Sequence, residues 1–103
     1  MEKKIKRILD DIGLDKKYRG YYYWIALIER AYKLKGFSLG DLTITDYYYM
    51  TAKQLHTTGA RIERNLRTTI ADKKNVISEY FNYYNKITNK VFLILVLDKI
   101  KFE

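Results

Sequence analysis

Arg61, Arg64 and Arg67 are the residues of this chain best equipped to do chemistry, and that chemistry is the recognition of a polyanion. A guanidinium fork matches a pair of phosphate oxygens as well as the O6/N7 edge of guanine, so three or four such groups on one surface can both grip and read a duplex. The surrounding run, TTGARIERNLRTTIA over 57–71, separates two faces at about 100° per residue. Ile62, Leu66 and Ile70 fall on one stripe; Arg61, Arg64 and Thr68 cluster roughly opposite, with Glu63 and Arg67 on the flank. A helix that buries one side and offers arginines on the other can lie in a DNA groove. An ordinary amphipathic helix with a solvated basic face would carry the same pattern.

Such a helix needs a support that presents it. Residues 44–55, ITDYYYMTAKQL, place apolar groups at Ile44, Tyr47, Tyr48, Ala52 and Leu55, as a helix would, and Thr43 with Asp46 three residues on forms a capping box at its start. Between this helix and the basic one lies only a turn at His56, Thr57 and Thr58, with a threonine hydroxyl placed to cap the second helix and Gly59 suited to close approach. Helix, short turn and basic helix over about 44–73 make a helix-turn-helix, in which the second helix enters the major groove. Tyr49 and Lys53, four apart near the end of the supporting helix, can reach phosphates beside it.

The rest of the chain reads as further helices. Ile5, Ile8, Leu9 and Ile12 mark a first one ending near Gly13. A longer one after Gly20 turns Trp24, Leu27, Ile28 and Ala31 inward and ends before Gly36, and a loop through Ser38, Gly40 and Asp41 leads on to Thr43. A short helix from Asn75, with Val76, Ile77, Tyr80 and Phe81 apolar, breaks at Asn82 and Asn85. Residues 91–97 are apolar throughout and would suit a buried strand, but no second strand exists to pair with it, so a central helix started by Thr88 or Asn89 is expected. Without proline the segments run uninterrupted, and 103 residues with 48% hydrophobic content fill one core. The expectation is a single all-α domain over 1–103, a compact bundle of about six helices.

Composition narrows the partners. A net charge of +8 and a pI near 9.6 favour an anionic partner, nucleic acid or an anionic surface. The absence of cysteine removes disulfides and thiolate zinc sites, and no apolar run approaches the ~18 residues that span a bilayer. A soluble cytoplasmic, nucleoid-associated protein is therefore expected, with no membrane partner. The eleven tyrosines include two triplets, but consecutive helical residues point apart and cannot form one stacking platform for bases; packing the ring inward with a wet hydroxyl is the simpler use. Enzyme chemistry has little to stand on. His56 is the sole histidine, Asp10 and Asp11 diverge on a helix, and neither a phosphate-binding loop nor a dinucleotide fingerprint is present. No metal, cofactor or small-molecule substrate is expected.

The run at 57–71 also resembles the recognition helix of the DNA-binding C-terminal domain of the stage-zero sporulation response regulators, where the pattern is approximately T-T-x-S-R-V-E-R-A-I-R-H-A-I. The opening segment IKRILDDIGLDKKYRGYYYWIALIERAY resembles that family's first helices, and KITNKVFLILVLDKI resembles its closing K-P-T-N-S-E-F-I-A-M-I-A-D-K-L. The resemblance implies double-stranded DNA as partner and a role in transcription. It implies Glu63 and Arg64 as base readers, glutamate accepting from cytosine N4 and arginine donating to guanine, with Arg61 and Arg67 clamping phosphates and Thr57 and Thr58 meeting a phosphate at the helix start. Ala60 stands where the family has serine and Thr68 where it has histidine, so these two are additional candidate contacts whose chemistry differs.

The family's regulators carry an N-terminal phosphoacceptor receiver domain, whereas Met1 here opens the DNA-binding domain, so the chain is either an excised domain or a natural stand-alone version, and the native-looking start favours the latter. Two functions follow: a sequence-specific transcriptional regulator, with a second protomer on tandem sites or RNA polymerase as further partners, or a protein-interaction module that keeps the fold and antagonises the regulator. The set Arg61, Glu63, Arg64 and Arg67 favours the first, because a protein-binding derivative has no need of it.

Overall fold

The structure, a computed structural model, describes residues 1–35 and 42–102. Six α-helices are present among them, α1 (Glu2–Ile12), α2 (Arg19–Lys35), α3 (Ile44–Leu55), α4 (Gly59–Ala71), α5 (Lys74–Phe81) and α6 (Asn89–Lys101), and no strand. The all-α bundle and its helix-turn-helix are therefore as the sequence implied. The loop through Ser38, Gly40 and Asp41, and Gly36 before it, lie outside the described residues.

Local chemistry sets most boundaries. α1 stops at Gly13, whose φ of 87° is left-handed, and the Gly13 and Leu14 amides both donate to the Leu9 carbonyl. Leu14 then folds back into the core. α3 opens with the Thr43/Asp46 box, in which the Asp46 amide donates to Thr43 Oγ1 and the Thr43 amide to Asp46 Oδ2. Thr58 and Thr88 cap α4 and α6 in the same way, accepting from the Arg61 and Val91 amides. α5 ends at Asn82, one of two non-glycine residues in the left-handed region among the described residues; the other is His56 in the turn between α3 and α4.

Two boundaries differ from expectation. α2 begins at Arg19 and takes Gly20 into its first turn, where α4 crosses so closely that a β-carbon on Gly20 would land on Thr69 Oγ1 and on the Asn65 carbonyl. α5 begins at Lys74, one residue before Asn75, and turns only Ile77 fully inward; Val76 is exposed, while Tyr80 and Phe81 are half-buried. The core closes around Trp24, which packs edge-on against Phe92 at 4.7 Å between centroids, with the α4 stripe Ile62, Leu66 and Ile70 beneath. α6 lies at the centre of this layer through Phe92, Leu93, Val96 and Leu97, all fully buried. The run that would suit a strand is thus a central helix.

Candidate nucleic-acid interface

α4 is held at a fixed height and rotation by two buried side-chain donors that reach its main chain. Trp24 Nε1 on α2 donates to the Leu66 carbonyl at 3.1 Å, and Asn89 Nδ2 on α6 donates to the Glu63 carbonyl at 3.2 Å while also reaching the Tyr48 hydroxyl. Mid-helix carbonyls already accept from the helix itself, so these extra bonds use their second lone pairs and act as pins. On the α2 side, Thr69 Oγ1 donates to the Asn65 carbonyl at 2.6 Å beneath Gly20. With Ile62, Leu66 and Ile70 at 0–1% exposure, α4 has one orientation available.

The opposite face of α4 is open. Ala60, Arg61, Arg64, Arg67 and Thr68 are all exposed, and Glu63 is half-buried at the edge. Arg61 and Arg64 project into solvent, whereas Arg67 is tied to Glu63 one turn back by two contacts, Nε to Oε1 at 3.0 Å and a terminal nitrogen to Oε2 at 3.4 Å. The i, i+4 spacing of Glu63 and Arg67 is the sequence signal that could have found this pair. At the N-terminal end, Thr58 is the cap and Thr57 is half-buried in the turn, its amide donating to the Ala52 carbonyl. Tyr49 stands 65% exposed on α3 with its ring against Gly59, where a β-carbon would sit 3.0 Å from the ring. Lys53, one turn on, is exposed too. All ten predicted contact residues therefore lie on α4, in the turn before it, or on α3.

Sequence reasoning did not find the pins, nor a cleft of about 340 Å³ on the far flank of α4, where Glu63, Arg67 and Lys74 face Lys86 and Lys90 from the α5–α6 connection and the start of α6. A tryptophan on an apolar stripe does announce a buried N–H that needs an acceptor, but which carbonyl accepts it depends on the fold. Nothing in this region suggests a metal centre: His56 is an exposed turn residue, and no group of three or more histidine, cysteine or acidic residues gathers among the described residues. Asp10 and Asp11 diverge onto separate partners, the Tyr21 hydroxyl at 2.8 Å and the Tyr80 hydroxyl at 3.4 Å. No helix among the described residues is long and apolar enough to cross a membrane.

An all-α fold with a basic second helix pinned in a helix-turn-helix agrees with comparison to known proteins. Residues 5–100 match the family described as sporulation initiation factor Spo0A C terminal. The match covers nearly the whole chain, and the chain belongs to that family, one of DNA-binding domains of transcription factors and not an enzyme class.

Proposed function

We propose that this member of the Spo0A C-terminal family is a sequence-specific double-stranded DNA-binding regulator of transcription that lays α4 in the major groove. The observation that carries the reading is the division of α4: a stripe pinned by Trp24 and Asn89, and an exposed face bearing Arg61, Arg64 and Arg67. Arg64, central and unencumbered, reads guanine; Glu63 accepts from cytosine; Arg61 and Arg67 clamp phosphates, and Thr57, Thr58, Tyr49 and Lys53 serve the backbone at the N-terminal end of α4. Ala60 and Thr68 border this face and tune it. Adjacent protomers on tandem sites would gain affinity through effective concentration.

Selection from a random duplex pool tests this. A single motif should emerge and bind at least about a hundredfold tighter than random duplex, with log K falling steeply against log salt. Equal binding to heparin, single strands and random duplex, with no motif, would replace the reading with a protein-interaction role.

A further inference from the structure

We propose that Lys86 and Lys90, together with Lys74 and Arg67, form a second clamp on the DNA backbone, gripping the strand on the far side of the groove that α4 occupies. This rests on the DNA-binding reading above and adds a set of contacts outside the helix-turn-helix.

The cleft between the flank of α4 and the start of α6 has an unbalanced charge. Four cations line it, Arg67, Lys74, Lys86 and Lys90, against one carboxylate, Glu63, and that carboxylate already holds Arg67. The three lysines are exposed, and among the described residues none of them is ion-paired. Like charges gathered around one hollow repel one another, and an anion seated there removes the repulsion. Three lysines on other surfaces are ion-paired, Lys6 with Glu2, Lys16 with Asp10 and Lys33 with Glu29.

Continuity with the exposed face of α4 favours a DNA phosphate as that anion. Arg67 belongs both to the exposed face of α4 and to the cleft, so the two surfaces are continuous. From the Thr58 cap to Arg67 the helix rises about 14 Å, close to the width of a major groove, about 12 Å. A helix inclined across the groove would then have phosphates of one strand at its Thr57/Thr58 end and phosphates of the other strand beside the cleft. Asn89 sits between Lys86 and Lys90 in this arrangement and donates to the Glu63 carbonyl, which ties the position of the lysine wall to the turn of α4 that carries Glu63 and Arg64.

The test compares K86A/K90A with Lys6→Ala on the full chain, using both a selected duplex and a random one. In the double variant the plot of log K against log salt should flatten by about two counterions on both duplexes, with base preference retained. K86R/K90R should restore the slope, and alkylation interference should show a cluster of phosphates that matters to the parent and not to K86A/K90A. Lys6→Ala should leave both measurements unchanged. If the parent binds DNA with its motif preference intact and K86A/K90A has the parent slope, the clamp is overturned and the reading of α4 survives. Failure of the parent to prefer any duplex would overturn both. Loss of inorganic phosphate or acidic-peptide binding in K86A/K90A with an unchanged DNA slope would assign the cleft to a different anion and overturn the inference as stated.

Discussion

Arg64 and Arg67 lie on the same face and differ in what holds them. Arg64 has a free fork and Arg67 shares Glu63. An exposed i, i+4 pair contributes about 0.3–0.5 kcal/mol, while a bidentate contact to a base discriminates by about 1–3 kcal/mol, so DNA can draw Glu63 away from Arg67 at little cost. Arg64→Ala should therefore lose about 1–3 kcal/mol on the preferred duplex and relax one base position. Arg67→Ala should weaken every duplex and flatten the salt plot by about one counterion. Titrations at several salt concentrations separate the two, and equal losses for Arg64→Ala on preferred and random duplexes would remove it from the readers. A second contrast lies in the core. The hydroxyl of Tyr47 is buried without a hydrogen-bond partner among the described residues, whereas that of Tyr21 donates to Asp10 at 2.8 Å. Tyr47→Phe should raise stability by about 1 kcal/mol, because an unsatisfied polar group leaves the interior, and Tyr21→Phe should lower it by a similar amount. Urea unfolding of both variants reads the sign, and a loss in Tyr47→Phe as large as in Tyr21→Phe would mean that the hydroxyl is satisfied.

At the scale of elements, the presentation of α4 depends on how closely α2 crosses it. Gly20 is the contact point, and the atoms a β-carbon would strike include the Asn65 carbonyl, which is backbone and cannot swing aside. Gly20→Ala should cost about 1–3 kcal/mol as an overpacking defect and lower Tm by about 4–8 °C for each kcal/mol. Because α4 must shift or turn to relieve the clash, binding to the preferred duplex should fall more than the loss of folded protein explains. Gly59→Ala is the matched control: its neighbour is the exposed ring of Tyr49, which can move, so the change should cost under about 1 kcal/mol. Thermal melts with parallel binding assays check both, and comparable losses would sink the claim that the α2–α4 crossing sets the interface. These positions also explain what could be read from the chain. Caps are local, so Thr43 announced α3, a threonine of the 57–58 pair announced α4 and the Thr88–Asn89 step announced α6, and the 62/66/70 stripe announced which side of α4 is buried. Gly20, Trp24 and Asn89 act on partners 26 to 49 residues away, and their roles exist only once the helices have packed. Lys86 and Lys90 were equally silent, since a cationic cleft is a property of two segments and not of either alone.

Over the whole molecule, the core that positions the interface is unusually rich in phenols, and this gives it an alkaline limit. Burial pushes the Tyr21, Tyr47 and Tyr48 hydroxyls above the ordinary tyrosine value. The Asp10 hydrogen bond and charge add to the rise at Tyr21, the Asp46 charge adds at Tyr47, and the Asn89 hydrogen bond partly offsets burial at Tyr48. In the unfolded chain these groups ionise near pH 10. Below that pH both states hold the phenolic protons and the stability is fully present; above it the unfolded chain binds fewer protons than the native one, so stability falls as pH rises. Each tyrosine ionised only when unfolded contributes a slope of about −1.4 kcal/mol per pH unit, and three acting together make the fall steep. Urea midpoints should stay level from pH 7 to 9 as far as these groups are concerned and then drop between pH 10 and 11, with Tyr47→Phe showing a shallower drop than the parent. Phenolate absorbance supplies the independent check. In the folded protein part of the eleven-tyrosine signal should appear only as the chain unfolds, and ionisation of every tyrosine around pH 10 with the fold intact would show that the three buried phenols do not set the limit.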